Sequence, residues 1–185
     1  MDKHYRTYLV SVYFDDKTET RLRTYIAKTA EKCGNTYMID HRVPPHITVS
    51  ALDTMNEETM IQKLENCISQ LDSGTLQWVT IGTLNSGVIY MAPVLNEYLH
   101  GLAVNIYDSI KMLPNVKVSK YYRPFQWLPH ATIAKKLTRK EMTEAFMALQ
   151  DSFAVFEGKV VRIGLAQKNP YREIREWELK TNKTT

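Results

Sequence analysis

The sequence predicts a bilobal α+β fold: two largely antiparallel sheets around a central cleft, with helices outside and a pseudo-two-fold between the halves. Three observations predict it. Segments rich in aromatic and β-branched residues alternate with segments of helical apolar spacing. Some of those strand segments meet at short turns, which antiparallel pairing permits and parallel pairing does not. Finally, one pattern occurs twice. Residues 45–57 (PHITVSALDTMNE) and 129–141 (PHATIAKKLTRKE) both contain Pro-His-x-Thr-(Val/Ile), and Thr-x-x-Glu begins six residues after the motif threonine. Each leads through a helical segment to Val-x-Ile-Gly, at 79–82 and at 161–164.

The elements follow in order. Residues 4–14 (HYRTYLVSVYF) are strand-like. Asp15 or Asp16 caps a helix whose apolar positions Leu22, Ile26, Ala30 and Cys33 fall on one face, and Gly34-Asn35 ends it. Residues 36–42 are expected to be extended. Pro44-Pro45 keep the chain out of helix before the strand 46–52. Thr54 and Glu57 form an expected capping box for a helix to about 72, with Ile61, Leu64, Ile68 and Leu71 inward and Gly74 as its stop. Strands at 75–84 and 87–92 are joined by a turn at Asn85-Ser86-Gly87. Pro93 suits the first turn of a third helix to about 113, striped by Leu95, Leu99, Leu102, Ile106 and Ile110. Residues 114–129 are irregular, basic and aromatic. A strand at 130–136, a helix opened by a Thr138/Glu141 capping box, and strands at about 154–166 and 171–180 complete the chain.

Composition bounds the rest. The chain has 185 residues, 44% hydrophobic and 24% charged, which excludes a disordered, collagen-like or coiled-coil whole. It is expected to be one domain, 1–185, with repeat units at about 45–92 and 129–180. A net charge of +4 is compatible with an anionic substrate and too weak to argue for duplex DNA. Cys33 and Cys67 lie in helical segments without a CxxC or Cys/His partner and are expected as buried, reduced thiols. Met1–Arg6 has no apolar signal core, no apolar run is long enough to span a membrane, and a cytoplasmic, monomeric protein is expected. With five His and 18 Thr, about 0.5 His-x-Thr triplets arise by chance, and a preceding proline lowers this to about 0.02. Two such triplets are therefore signal.

Their chemistry is specific. Side chains on a strand alternate between faces, so His46 and Thr48 point one way, as do His130 and Thr132. If the halves face each other, two imidazoles and two hydroxyls line one cleft. One neutral imidazole can take a proton from attacking water while an imidazolium protonates the departing oxygen. The threonine hydroxyls can donate to non-bridging phosphoryl oxygens. This chemistry needs neither a metal nor a nucleophilic side chain. A zinc site from His41, His46 and His130 lacks a carboxylate or cysteine at ligand spacing, so no metal or other cofactor is expected.

Two Pro-His-x-Thr-hydrophobic motifs, one in each half of the chain, resemble the 2H phosphoesterase superfamily, which includes the 2′-5′ RNA ligase-like cyclic phosphodiesterases and 2′,5′-oligoadenylate phosphodiesterases. The resemblance implies a bilobal duplicated fold. It implies metal-independent cleavage of phosphodiesters, commonly 2′,3′-cyclic phosphate at RNA ends. By match to the motif, His46 and His130 would be the acid/base pair, and Thr48 and Thr132 the phosphate clamps. Which histidine is acid stays open. Lys135 and Lys136 stand where the RNA cyclic phosphodiesterase members often carry arginine.

Just before the second motif, Tyr122, Arg123, Phe125 and Trp127 are candidate substrate-binding residues, able to stack a base and pair with phosphate. The alternative is that Phe125 and Trp127 pack beneath a long loop. Lys111, Lys117, Lys120 and Arg123 form a basic stretch, first of all a solvated face and otherwise a surface steering an anion. His4, His41 and His100 lack the motif and are expected to be peripheral. The expected partners are RNA ends or a small nucleotide carrying a phosphodiester. The alternatives are a 2′,5′-oligoadenylate phosphodiesterase, a non-catalytic nucleotide or RNA-end binding module, and RNA end joining by reversal of cyclic-bond opening.

Overall fold

A computed structural model describes residues 4–85 and 87–181. The first half contains β1 (Arg6–Phe14), α1 (Asp16–Cys33), α2 (Tyr37–Asp40), β2 (Ile47–Thr54), α3 (Glu57–Ile68) and β3 (Gly74–Leu84). Then come β4 (Val88–Pro93), α4 (Glu97–Ile110), the two-residue β5 (Lys117–Val118), β6 (Ala131–Lys135), α5 (Arg139–Ser152), β7 (Phe156–Gln167) and β8 (Arg172–Glu178).

All ladders between these strands are antiparallel. They meet in β7. Its N-terminal part, Phe156–Val160, pairs with β3, which continues through β4 to β6. From Val160 to Gln167 it pairs with β1, which continues through β2 to β5, while β8 takes its other edge from Arg162. Each motif strand thus lies beside a strand that precedes it with one long helix between: β2 beside β1, and β6 beside β4. Helix α1 packs on α5, and α3 on α4.

The core sits between the sheet and these helices. Tyr8, Val10, Val12 and Phe14 of β1 are buried on its helix side. Trp78 is fully buried, stacked on Phe156 at 5.7 Å and edge-on to Phe14 at 5.4 Å. The opposite face of β1 carries Thr7, Leu9, Ser11 and Tyr13 away from the helices. That face matters below.

Most predicted elements are present, and local capping rules decide several ends. Asp15 accepts from the Thr18 amide, and Gly34 ends α1 at φ 74°. The Thr138/Glu141 capping box forms. The Thr54/Glu57 box does not. Thr54 is the last residue of β2, paired with Arg6, and its hydroxyl accepts from the Asn56 amide. The Glu57 carboxylate takes Arg172 at 2.6 Å and the Tyr8 hydroxyl at 3.0 Å, so tertiary partners outcompete the local motif. Burial alone would raise the Glu57 pKa; the hydrogen bonds from Arg172 and Tyr8 outweigh it and hold the carboxyl below the usual range.

Other ends shift too. Helix α3 stops at Ile68 rather than near 72, because Asp72 bridges to Lys180. Pro93 ends β4 opposite Trp78, and α4 starts at Asn96, whose side chain accepts from the Leu99 amide; Leu95 lies outside the helix and is exposed. The segment 36–42 is not extended but holds α2. Asn35 accepts from the Tyr37 amide, Thr36 donates to Asp40, and Tyr37 stacks on His41 at 3.9 Å. These short-range bonds favour a turn of helix over an extended chain. Cys33 is buried, whereas Cys67 is only half-buried, its thiol near the Asn105 carbonyl. The hairpin register Leu84↔Val88 is as expected, with Asn85 at φ 54°. Ser86 of the predicted turn, Met1–Lys3 and the Thr/Lys tail from 182 lie outside the described residues. No described helix is long and apolar enough to cross a membrane.

Trp78 generates a stability prediction. Trp78→Ala should destabilise the chain by about 3–5 kcal/mol in urea unfolding. Trp78→Phe should cost less, since the indole N–H has no hydrogen-bond partner to lose.

Candidate active site

Both motifs are built the same way. Each histidine precedes its strand by one residue, so its backbone is not yet committed to the ladder. Nδ1 of His46 lies 2.9 Å from the Pro44 carbonyl, and Nδ1 of His130 lies 2.9 Å from the Leu128 carbonyl. A carbonyl only accepts, so Nδ1 carries the proton in both rings. This leaves Nε2 of each ring as the working nitrogen: an acceptor when the ring is neutral, a donor when it is charged. Both rings are half-buried.

The threonines sit two residues on, inside the ladders. Thr48 is paired with Ser11, the two hydroxyl oxygens 3.3 Å apart. Thr132 is paired with Tyr90. A β-bulge between Val10 and Ser11 shifts the β1–β2 register just before Thr48. A second one, between Ile89 and Tyr90, does so just before Thr132. Bulges re-aim side chains, and here both lie beside a motif.

Each histidine also has a tyrosine neighbour from the adjoining strand. The Tyr13 ring centroid is 6.0 Å from that of His46, and the Tyr90 ring meets His130 edge-on at 5.3 Å. Both tyrosines lie over the glycine of a Val-x-Ile-Gly motif. A Cβ on Gly82 would collide with Cζ and Oη of Tyr90, and one on Gly164 would lie 2.5 Å from Cε2 of Tyr13. The repeated glycines are therefore seats for the rings that flank the histidines. The sequence marked these glycines through the repeat. It did not mark Tyr13, Tyr90 or Ser11, because their proximity depends on cross-strand register.

Three observations bring the motifs together. Strands β2 and β6 approach one another although they lie on opposite branches of the ladder network. The Trp127 indole N–H donates to the Thr48 carbonyl at 3.1 Å, tying the segment before the second motif to the strand of the first. The charge of His130 also acts on His46. Enclosure by protein is the main cause that lowers the His46 pKa below its ordinary value; the Pro44 carbonyl opposes this, and His130 and Lys135 add to the lowering.

The predicted substrate-binding residues divide. Trp127 and Tyr122 line a cavity of about 540 Å³ with His130, Leu84, Gln126 and Leu128. Trp127 is partly buried against the core as well as lining the cavity. Arg123 lines a different hollow of about 320 Å³ with Lys111 and Lys117. Phe125 is 87% exposed at φ 62° and meets His100 at 4.5 Å, so it neither packs in the core nor lines the His130 cavity. His41 stacks on Tyr37 and is exposed.

Two measurements follow. His46 should titrate below about 6.5 by NMR. A lowered imidazole pKa means that the folded chain binds fewer protons than the unfolded one, so His46 contributes stability above about pH 6.5 and loses it as pH falls below that value. His46→Gln should flatten that part of the stability–pH curve. Independently, Gly82→Ala should perturb the ring resonances of His130 and Gly164→Ala those of His46, each leaving the other histidine near its wild-type shifts.

The sequence model of the 2′-5′ RNA ligase superfamily matches residues 18–172. No curated protein matches the chain. Among solved structures, Escherichia coli LigT in its apo form is similar at TM-score 0.55 and 15% identity, covering 96% of this chain and 99% of that one. A structure described as a phosphoesterase gives 0.57 and 16%, with the same coverage. TT0787 of Thermus thermophilus gives 0.59 and 13%, covering 95% and 99%. These likenesses show a shared fold across nearly the whole length of each chain. With the family match spanning most of the sequence, the chain belongs to the 2′-5′ RNA ligase superfamily.

Proposed function

We propose that this protein is a metal-independent phosphodiesterase that opens 2′,3′-cyclic phosphate at RNA ends, or a related nucleotide phosphodiester, by acid–base catalysis between His46 and His130. The observation that carries the proposal is the matched Nδ1-to-carbonyl bond, which leaves both histidines with Nε2 as the reactive nitrogen. E. coli LigT, which shares the fold, has been crystallised with 3′-AMP, with ATP and with phosphate, which supports a nucleotide phosphate as the ligand. Both motifs lie in one chain, so in this reading one chain, as a single domain of two matched halves, holds a whole site.

In this mechanism His46 is the base. Its lowered pKa keeps Nε2 unprotonated near neutral pH. Nε2 takes a proton from water as the water oxygen attacks phosphorus. His130, as imidazolium, gives its Nε2 proton to the ribose oxygen that leaves. Thr48 and Thr132 donate to the non-bridging oxygens, where charge grows. The product is a phosphomonoester, and proton exchange with solvent resets the two rings. A 2′-5′ phosphodiester in oligoadenylate presents the same bond type and is the alternative substrate. A binding module that has lost its chemistry is disfavoured because both His/Thr sets are intact.

The test is a product assay. Purified protein is incubated with 2′,3′-cyclic and 3′,5′-cyclic nucleotides, 2′-5′ oligoadenylate and cyclic-phosphate-ended RNA, and products are identified by mass. His46→Ala or His130→Ala should each lower turnover about 10²–10⁴-fold without unfolding the chain. Activity should persist in EDTA. Full activity in the double variant would refute the mechanism, and tight binding of a 2′,3′-cyclic nucleotide without product would replace it with the binding reading.

A further inference from the structure

We infer that the site extends, along the open face of β1 and β2, into a track for the upstream phosphates of a single-stranded oligonucleotide, ending at Lys117 and Lys168. This rests on the proposed reading for what happens at the reacting end, but not for the track itself.

The track is continuous. A second cavity of about 440 Å³ is lined by Thr7, Asp53, Lys117 and Lys168 and by the same Tyr121 and Tyr122 that line the His130 cavity. Its floor is the face of β1 that bears Thr7, Leu9, Ser11 and Tyr13, the face on which Ser11 meets Thr48. From Ser11 to Thr7 is four residues of strand, about 13 Å. A phosphate held at Thr48 and a group held at Thr7 therefore belong to different nucleotides of one chain. The Arg123 hollow continues in the same direction, sharing Lys117 and Val118 with this cavity and adding Lys111.

Charge selects the ligand. Lys117 and Lys168 are exposed, and among the described residues neither is in an ion pair. The Lys117 ammonium rests 4.7 Å from the Tyr5 ring centre, which holds it in place without neutralising it. Asp53 also lines the cavity, but its carboxylate takes the Thr7 hydroxyl at 2.6 Å. Lys111 is paired with Asp108, so the unpaired cations are Lys117, Lys168 and Arg123. The hollow on the other side, at Tyr13 and Pro44, carries Glu173 and Glu176, and its Arg175 is paired with Glu65 at 3.2 Å. A polyanion leaving the histidines is thus drawn towards β5 and away from β8.

Tyr121 and Tyr122 give the track its chemical class. Tyr121 is 68% exposed and stands between two cavities. An aromatic face beside unpaired cations fits stacked bases with a phosphate backbone, and a free phosphate uses only the cations. Length of substrate should therefore change KM more than kcat.

The test separates track from chemistry. A fluorescein-labelled pentaribonucleotide ending in 3′-phosphate, a product that cannot react further, is titrated by anisotropy at several salt concentrations. Lys117→Ala/Lys168→Ala should weaken it at least about tenfold at low salt and lower the slope of log Kd against log salt by about 2. Tyr121→Ala should weaken it about fivefold or more. In turnover, a cyclic-phosphate-ended pentamer should show a KM well below that of a 2′,3′-cyclic mononucleotide, and the lysine variant should raise only the pentamer's KM. Equal KM for both substrates, or a pentamer whose binding ignores the lysines, overturns the track while leaving the catalytic reading intact. Lysine dependence with no effect of Tyr121→Ala overturns nucleic acid as the class. Lysine- and tyrosine-dependent binding with no turnover of any substrate upholds the track and removes the catalytic reading.

Discussion

The hydrogen bond from each motif histidine to the carbonyl two residues behind it is the constraint on which the site depends. It fixes three things at once. The tautomer is set, because a carbonyl demands a donor at Nδ1. The ring orientation is set, because the bond closes a short loop of backbone. The start of the strand is set too, since the residue making this bond cannot yet pair its whole backbone in the ladder. The prolines follow from the same constraint. Pro45 and Pro129 stand directly before the histidines and hold the preceding residue extended. Both motifs satisfy it with the same atoms and nearly the same distances, although the loops that lead into them differ entirely in length and composition.

Two such motifs are useful only if something holds them apart at a fixed spacing, and β7 supplies that. Its twelve residues serve two ladders, one leading through β1 to β2 and the other through β3 and β4 to β6. One strand common to both branches makes their relative placement a property of the sheet rather than of a linker. The cores on the two branches are closed by separate helix pairs, so each half packs independently around its motif. Trp78, wedged between Phe14 of β1 and Phe156 of β7, sits where the branches diverge. Near the cleft the branches are tied once more, through the Trp127 indole and the Thr48 carbonyl.

Much of this was legible in the sequence, and what was not has a physical reason. The His-x-Thr pairs were legible because strand alternation alone puts both residues on one face. The Thr138/Glu141 box was legible because nothing competes for it. The same motif at Thr54 and Glu57 failed because Arg172, 115 positions away in sequence, takes the glutamate. Pro93 was misplaced for a related reason: a proline fits equally at the end of an edge strand, and Asn96 is the better cap. The candidate substrate residues were grouped by adjacency along the chain, yet residues 121–127 curl. Lys120–Tyr122 forms a short 3₁₀ turn and Phe125 has a positive φ. Neighbours in that segment face different hollows, so Tyr122 and Trp127 reach the His130 cavity while Arg123 and Phe125 do not. Tyr13 and Tyr90 were invisible because only register places them beside the histidines.

The two halves share a plan but not an environment, and this asymmetry gives the proposed reaction its direction. Identical imidazoles in identical surroundings would titrate together and could not divide the roles of acid and base. Here the flanking groups differ. Tyr13, near His46, is itself enclosed and faces Glu173 and Glu176 across the cleft wall, whereas Tyr90 borders the cavity side of His130. Enclosure disfavours charge on His46, and Lys135 from the other motif strand disfavours it further. The lysines beyond Tyr121 and Tyr122 then break the symmetry a second time, along the substrate rather than across it. A chain that enters from the β5 side presents its end to two histidines of which only one is held neutral by its surroundings. The order of proton transfers is thereby tied to the direction in which the substrate lies.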